Sequence, residues 1–278
     1  MVISLRRKNK HIGSHVVMCI WCLVVLFPIW VLLINSFKTR LTIYTNPFWV
    51  PEKWNFGNYS TVFKDGNFLL YFKNSLVVVV LSLALVLIVS SFASFALANW
   101  KGKASRRLYL FFIAGMMLPI KIASIKLLEI MRALGLLNTI WSLVPIYVAM
   151  GLPIGIFILT EFIREVPRDL TEAAIIDGSS YVRVFTTITI PLTRPALSTV
   201  AIYNLIPFWN DLWFPLIFIN DEKQKTLLLG VTRLFGQYQT DWSKVLAVLT
   251  LSAIPVLALY LCMSKQFIQG VTAGAVKG

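Results

Sequence analysis

Long apolar segments alternate with short polar ones along this 278-residue chain. A helix needs about 20 mostly apolar residues to cross a bilayer, and six segments reach or approach that length. They are residues 16–34, 75–98, 108–128, 140–160, 196–219 and 245–263. The pattern predicts an all-α, polytopic membrane protein with six transmembrane helices. Residues 16–266 would form one membrane domain between short tails, 1–15 and 267–278.

Composition agrees with that prediction. Hydrophobic residues make up 58% of the chain and charged residues only 14%, whereas an ordinary soluble domain carries about 25% charged residues. A water-soluble core could not hide so much apolar sequence. The formal net charge of +14 is then expected from Lys and Arg in loops that face anionic lipid. We therefore expect contact with membrane lipid and no nucleic-acid partner.

Basic residues in the short loops predict the orientation. The loop 99–107 holds four Lys and Arg, the N-terminal tail holds four more, and the loop 132–139 holds only Arg132. Segment 37–73 also carries five, but long segments cross the membrane largely regardless of charge. Both termini and the loop 161–194 are accordingly predicted to be cytoplasmic.

Motifs for chemistry are missing from the sequence. No GxxxxGK[ST] phosphate loop is present, and neither His11 nor His15 has a metal-ligand pattern nearby. Cys19 and Cys22 have CxxC spacing on a predicted lipid-embedded helix, which favours packing over a redox or zinc site. We expect no catalytic residue, metal or cofactor in this chain.

Four of the 12 acidic residues lie in one polar segment within the loop 161–194; they are Glu165, Asp169, Glu172 and Asp177. Pro167 suits the start of a helix because its missing N–H would be unbonded there. Gly178 suits the end of that helix because glycine adopts the left-handed conformation. The segment predicts one helix over 168–177 and another over 180–187, before Pro191 and Pro195.

This acidic segment has two interpretations. A helix of about ten residues is not stable alone in water, so it has to pack against something. A helix lying on lipid normally carries Lys and Arg on its polar face, whereas this one carries acids that an anionic leaflet repels. The sequence favours docking to a soluble protein over lying on the membrane.

Polar residues also occur inside the fifth predicted span, where Asn204, Trp209, Asn210 and Asp211 lie. Polar groups within a membrane usually face a cavity or a partner. Amide and carboxylate groups beside indole rings suit sugar recognition. The alternative is that Trp209 and Trp213 form an interfacial aromatic belt, and that Asn210 and Asp211 cap a helix broken near a proline.

The third predicted span carries cations in its outer half. Lys126 and Glu129 can pair because they are three residues apart on a helix, and Lys121 has no evident local partner. These lysines either extend their ammonium groups to the outer surface or form a cationic lining that tolerates an acidic saccharide.

The acidic segment resembles a known family. Glu172-Ala-Ala-Ile-Ile-Asp-Gly178, followed by Ile188-Thr-Ile-Pro191, is similar to the EAA loop of membrane subunits of ATP-binding-cassette (ABC) importers. The family pattern has Leu-Pro where this chain has Ile190-Pro191. Further stretches resemble the shorter, six-span permease of the maltose-type carbohydrate subfamily: Leu134-Gly-Leu-Leu-Asn-Thr139, Phe208-Trp-Asn210, Pro215-Leu216, Thr226-Leu-Leu-Leu-Gly230 and Ala275-Val-Lys-Gly278.

The resemblance implies a type I ABC importer permease fold with a cytoplasmic coupling helix. It also implies that the loop 161–194 docks into a separate ATPase. The coupling residues by this reasoning are Glu172, Ala173, Ala174, Asp177, Gly178 and Pro191.

Partners and location are implied in the same way. The implied partners are a homologous second permease subunit, two copies of an ATPase that bind ATP and Mg, an extracytoplasmic solute-binding protein and a saccharide. The implied location is a bacterial cytoplasmic membrane. The expected function is sugar import by alternating access. The alternatives are a membrane scaffold or signalling anchor that recruits a soluble partner, and import of an acidic saccharide or another small solute.

Overall fold

The computed structural model describes residues 2–65, 67–100, 102–235 and 240–275. These residues form helices and no β-strand, apart from an isolated bridge between Phe235 and Thr240. The α-helices are α1 (Val2–Ser36), α2 (Arg40–Thr45), α3 (Gly57–Asp65), α4 (Phe68–Asn99), α5 (Lys103–Met116), α6 (Ser124–Ala133), α7 (Leu143–Glu165), α8 (Arg168–Ile176), α9 (Tyr181–Val184), α10 (Ile190–Leu192), α11 (Arg194–Trp209), α12 (Trp213–Phe218), α13 (Leu227–Val231) and α14 (Trp242–Ala275). The all-α prediction is confirmed.

Four helical segments are long and apolar enough to cross a membrane by themselves: Ile12–Ser36, Phe68–Asn99, Ile140–Glu165 and Trp242–Cys262. They overlap the first, second, fourth and sixth predicted spans. The count rises to five with a bent pair of helices in the third position. Six transmembrane helices therefore remain a prediction.

The third predicted span is not one continuous helix. Lys103–Met116 and Ile120–Ala133 meet at an angle of 82°, and the break falls at Pro119. Proline has no N–H to donate and disfavours the helical conformation in the residue before it, which explains the break. The expectation of a single helix over 108–128 was therefore wrong.

The fifth predicted span is also broken. α11 ends at Trp209 and α12 begins at Trp213. α11 has 16 residues, fewer than the roughly 20 that span a bilayer. The segment 196–219 is therefore not one continuous helix, and residues 210–212 form an irregular connection within it, as the alternative of a broken helix expected.

The chain divides into two compact units. One comprises the residues up to Phe68 together with Val231–Ala253, and the other comprises Leu69–Gly230 together with the residues after Ala253. α4 and α14 each have residues in both units.

In the first unit, the segment after α1 is held by buried polar groups. Asn58 donates from Nδ2 to the carbonyl oxygens of Ser36 and Lys38, at 2.8 and 2.9 Å. The Lys38 ammonium is buried and donates to the carbonyl oxygen of Asn46 at 2.6 Å, and this burial lowers the pKa of Lys38. The long segment between α1 and α4 thus has a definite internal structure.

Asp241 lies immediately before α14 in the same unit. Its Oδ1 accepts a hydrogen bond from Ser243 Oγ at 2.6 Å, and its Oδ2 lies 3.0 Å from Lys244 Nζ. Partial burial acts to raise the pKa of Asp241, but the hydrogen bonds from Ser243 and Lys244 and the charge of Lys244 outweigh it. The pKa of Asp241 is therefore lowered.

The second unit packs α4, α7 and α11 closely through small residues. An added Cβ at Gly155 would lie 3.0 Å from Ser90, and one at Gly151 would lie 2.8 Å from Val86 Cγ2. Ser94 donates from Oγ to the carbonyl oxygen of Ile156 at 3.2 Å. Small residues that let backbones approach are typical of helix contacts within membranes.

Candidate functional site

The acidic segment folds into the helix that its sequence predicts. α8 starts directly after Pro167 and is one residue shorter than the predicted 168–177. Asp177 N–H donates to the carbonyl oxygen of Ala173 and Ser179 N–H to that of Ala174, each at 2.9 Å. Gly178 has a φ of 84°, so it closes the helix in the left-handed conformation that favours glycine.

No residue of α8 is buried. Glu172 and Ala173 are exposed, Ala174 is half-buried, and Ile176 is 84% exposed. Glu172 has no recorded ion pair within the described part of the chain. A nine-residue helix has little stability of its own, and α8 buries no side chain within the described part of the chain.

The helix that follows is anchored firmly, in contrast to α8. Val184 and Phe185 are buried, at 0% and 5% exposure. The Phe185 ring stacks on Phe92 at a centroid distance of 4.6 Å and meets Phe95 edge-on at 5.2 Å. Both partner rings belong to α4. These rings therefore attach the segment after α8 to the long apolar helix α4.

The sequence did not single out Phe185. It is one of 19 phenylalanines, and no neighbouring motif distinguishes it from the others. Its anchoring role depends on the register between the segment and α4.

Pro191 does not end the helix before it, contrary to expectation. A turn of π-helix at Phe185–Thr189 leads directly into α10, which contains Pro191. The break comes at Thr193, which has φ −94° and ψ 10°. A π-turn shifts the hydrogen-bonding register by one residue, so the backbone continues through a proline that would otherwise interrupt it.

Asp211 organises the break in the fifth predicted span. Its Oδ2 accepts a hydrogen bond from the Tyr147 hydroxyl at 2.9 Å, and its Oδ1 accepts one from Trp213 N–H at 3.1 Å. Phe214 N–H also donates to Oδ2, at 3.3 Å. Asp211 therefore caps the first turn of α12, as the capping alternative expected. Asn210 is exposed at the end of α11.

The other two polar residues of this span are buried against their own chain. Asn204 is 4% exposed and donates to the carbonyl oxygen of Val200 at 2.9 Å. Trp209 is 5% exposed, and its ring meets that of Phe72 edge-on at 5.8 Å. The structure thus places Asn204 and Trp209 in helix packing, while Asn210 and Asp211 lie at the break.

The two lysines of the third predicted span differ in their surroundings. Lys126 is 77% exposed and pairs with Glu129 at 2.9 Å, as the spacing predicts. Lys121 is exposed at the bend, with its ammonium 5.7 Å from the centre of the Trp213 ring. The Trp213 indole also donates to Ser124 Oγ at 2.9 Å. The bend therefore brings Lys121 close to the break in the fifth span, which the linear sequence did not indicate.

A second polar connection, also missed, holds residues 218–221. Asn138 Oδ1 accepts hydrogen bonds from Asn220 N–H at 2.7 Å and Asp221 N–H at 2.6 Å, and Asn138 N–H donates to the carbonyl oxygen of Phe218 at 2.8 Å. Asn138 has a φ of 65°, which asparagine tolerates better than most residues. This explains one asparagine in the stretch 134–139.

The remaining candidate chemistry concerns metal ligands and thiols. Within the described ranges, no three His, Cys, Asp or Glu side chains are grouped so that they could hold a metal ion. Cys19 and Cys22 are free thiols on the exposed surface of α1.

Comparison with known proteins now assigns the family. Residues 87–272 match the family described as "Binding-protein-dependent transport system inner membrane component". The chain belongs to this family. It is a membrane permease component of an ABC transporter, and the resemblance seen in the EAA-like segment is confirmed.

Similar proteins cover nearly the whole chain. A putative ABC transporter permease protein, ORF2 of Caldicellulosiruptor sp. (strain Rt8B.4), is 40% identical over 94% of this chain and 95% of its own length. The trehalose/maltose transport system permease protein MalG of Thermococcus litoralis is 34% identical, over 99% and 98%. The diacetylchitobiose uptake system permease protein NgcG of Streptomyces coelicolor is 32% identical, over 95% and 88%.

A solved structure shares the fold. In the crystal structure of a bacterial ABC transporter involved in the import of the acidic polysaccharide alginate, one chain superposes with a TM-score of 0.80. The superposition covers 94% of this chain and 97% of that one, at 21% sequence identity. The fold is therefore shared.

Proposed function

We propose that this chain is one of two permease subunits in an ATP-driven, binding-protein-dependent saccharide importer, and that α8 is the helix on which a separate ATPase acts. The observation that carries the proposal is the contrast between α8, which has no buried residue, and the adjoining Phe185, which is buried against α4. One part of the segment is free for a partner and the next is tied to the membrane helices.

In this proposal, Glu172, Ala173, Ala174 and Asp177 meet the ATPase, Gly178 makes the turn, and Pro191 lies in the helical segment that leads back to the membrane. Closure of two ATPase subunits around ATP and Mg would move the two coupling helices together. The ATPase would then favour one of two permease states, because a ligand shifts a conformational equilibrium only by binding its states unequally.

The saccharide class rests on relatives whose names state diacetylchitobiose or trehalose and maltose as their cargo. The assembly would include the second permease and an extracytoplasmic solute-binding protein. We further propose six spans, on the length of the apolar segments. The distribution of basic residues favours cytoplasmic termini and a cytoplasmic loop 161–194.

Reversing the charge of Glu172 tests the coupling role. In the purified and reconstituted complex, Glu172→Lys should abolish saccharide uptake, either by releasing the ATPase or by leaving its ATP hydrolysis unstimulated by the loaded binding protein. Glu52→Lys is the matched control, since Glu52 is also exposed and has no recorded ion pair in the described part of the chain.

Normal uptake by the Glu172→Lys variant would contradict the proposal. The scaffold alternative predicts a different result at the start of the experiment, because neither an ATPase nor a second permease would then co-purify with the chain.

An acidic saccharide is a second candidate cargo, favoured by Lys121. Its ammonium faces the Trp213 ring at the bend, whereas Lys126 is already neutralised by Glu129. If the cargo is acidic, Lys121→Met should reduce its uptake by about tenfold, as expected for losing a charge-assisted hydrogen bond, and Lys126→Met should have little effect. Equal uptake by both variants, for acidic and neutral saccharides alike, would exclude this candidate.

A further inference from the structure

An open cleft of about 400 Å³ lies beside the start of α8. Arg106 of α5, Arg164 of α7 and Arg168 of α8 line it, together with Trp100 and Leu110; we call it the arginine cleft. Its volume falls in the range of about 300–1,000 Å³ that small-ligand sites occupy. Three guanidinium groups from three helices therefore share one cavity.

The charges of the arginine cleft are only partly balanced within the chain. Arg164 donates to Glu161 Oε1 at 2.8 Å and stacks over the Tyr109 ring at 4.7 Å. Tyr109 hydroxyl donates to the same carboxylate oxygen at 2.5 Å. This arrangement neutralises Glu161 and fixes Arg164. Neither Arg106 nor Arg168 has a recorded ion pair with any described residue, so the cleft keeps a net positive charge.

Another wall of the cleft is formed by the apolar side chains of Trp100 and Leu110. Trp100 is 56% exposed and follows the last residue of α4, and Leu110 is 52% exposed in the middle of α5. Tryptophan is enriched where the headgroups of a bilayer meet its hydrocarbon interior. A ligand that suits both walls would carry an anionic group for the arginines and an apolar part for Trp100 and Leu110.

We propose that the arginine cleft binds the phosphate of an anionic phospholipid. The planar guanidinium group donates two parallel hydrogen bonds to phosphate oxygens, and basic pockets between membrane helices are suited to anionic headgroups. The acyl chains would lie along Trp100 and Leu110. A free phosphate would satisfy the arginines but leave the apolar wall uncovered.

The site has a consequence for coupling, which rests on the proposed function of α8. Arg168 is the first residue of that helix, so a headgroup bound there would fix the position from which α8 projects. Lipid binding itself does not depend on α8 acting on an ATPase, and it can be measured without transport.

The test is a calorimetric titration of the full-length chain, purified in a neutral detergent, with short-chain phosphatidylglycerol and with phosphatidylcholine of the same chain length. Phosphatidylglycerol should bind more tightly than phosphatidylcholine. Arg106→Gln and Arg168→Gln should each weaken the phosphatidylglycerol affinity about fivefold. Arg107→Gln is the matched control, because it removes the same charge from the adjacent position, outside the cleft lining.

Two results would overturn the proposal. Equal affinity for both lipids, or equal weakening by Arg107→Gln and Arg106→Gln, would show that no specific headgroup site exists. A parallel titration with glycerol 1-phosphate separates the two sources of phosphate. If glycerol 1-phosphate binds as tightly as the lipid, with the same dependence on Arg106 and Arg168, the proposal of a phospholipid ligand is wrong. The ligand would then be a soluble phosphate compound.

Discussion

Removing the Phe185 ring should detach the segment 168–192, which contains α8, from α4. This ring is 5% exposed, and it is held by Phe92 and Phe95 at centroid distances of 4.6 and 5.2 Å. Phe185→Ala replaces no residue of α8, which ends at Ile176. The substitution therefore separates the transmission of movement from the docking of the ATPase.

The size of the effect follows from the burial of the ring. Truncating a buried Phe to Ala costs about 3–5 kcal/mol, and each aromatic pair contributes about 0.5–1.5 kcal/mol of specific attraction. A loss of about 3 kcal/mol from the attachment of the segment corresponds to a roughly 100-fold increase in its detached population, since each 1.4 kcal/mol is a factor of ten.

Two measurements on the reconstituted complex check this prediction. Hydrogen exchange of the backbone amides over residues 168–192 should become faster in Phe185→Ala, and the amount of saccharide imported per ATP hydrolysed should fall. Phe111→Ala is the control, because the Phe111 ring is 71% exposed. Wild-type exchange together with wild-type coupling in Phe185→Ala would refute the argument that this aromatic cluster transmits the movement.

Two further predictions concern helix packing and pH. Gly151→Ala should lower the free energy of unfolding by about 1–3 kcal/mol, because the new Cβ would lie 2.7 Å from Asn204 Oδ1 and 2.8 Å from Val86 Cγ2. In the same thermal unfolding assay, the control Gly13→Ala should have little effect, because no atom lies within 4 Å of the new Cβ there. The folded-state pKa of Asp241 is lowered, so its ionised carboxylate stabilises the folded protein. This contribution to the free energy of unfolding is fully present above the unfolded-state pKa of about 3.9, and it is lost as the pH falls through the lower folded-state pKa. Asp241→Asn should therefore lower the unfolding temperature near neutral pH and match the wild type in strong acid; an equal difference at every pH would contradict this.

The elements that sequence could predict are those determined by local chemistry. Apolar length located the four long helical segments, and Pro167 and Gly178 marked the ends of α8 within one residue. The i,i+3 spacing gave the Lys126–Glu129 pair. Each of these depends on residues close together in the chain, so a single sequence contains the necessary information.

The missing parts depend on contacts between distant residues or on where the chain bends. Apolar length alone could not show that the third span turns by 82°. The approach of Lys121 to Trp213 is a consequence of that bend. Tyr147 and Asp211 are 64 positions apart, and nothing in either local sequence indicates that they meet. The polar residues of the fifth span were correctly identified as unusual, but their packing and capping contacts required the tertiary structure.

Cross-linking from α8 in the assembled importer tests directly whether this helix contacts the ATPase. The three native cysteines would be replaced, and Ala173→Cys would carry a thiol-reactive photo-cross-linker. A cross-link to the ATPase subunit is expected, and it should be absent when the same probe is placed at Glu52→Cys. Failure to reach the ATPase, together with labelling of position 173 by a membrane-impermeant thiol reagent added outside the cell, would contradict this contact.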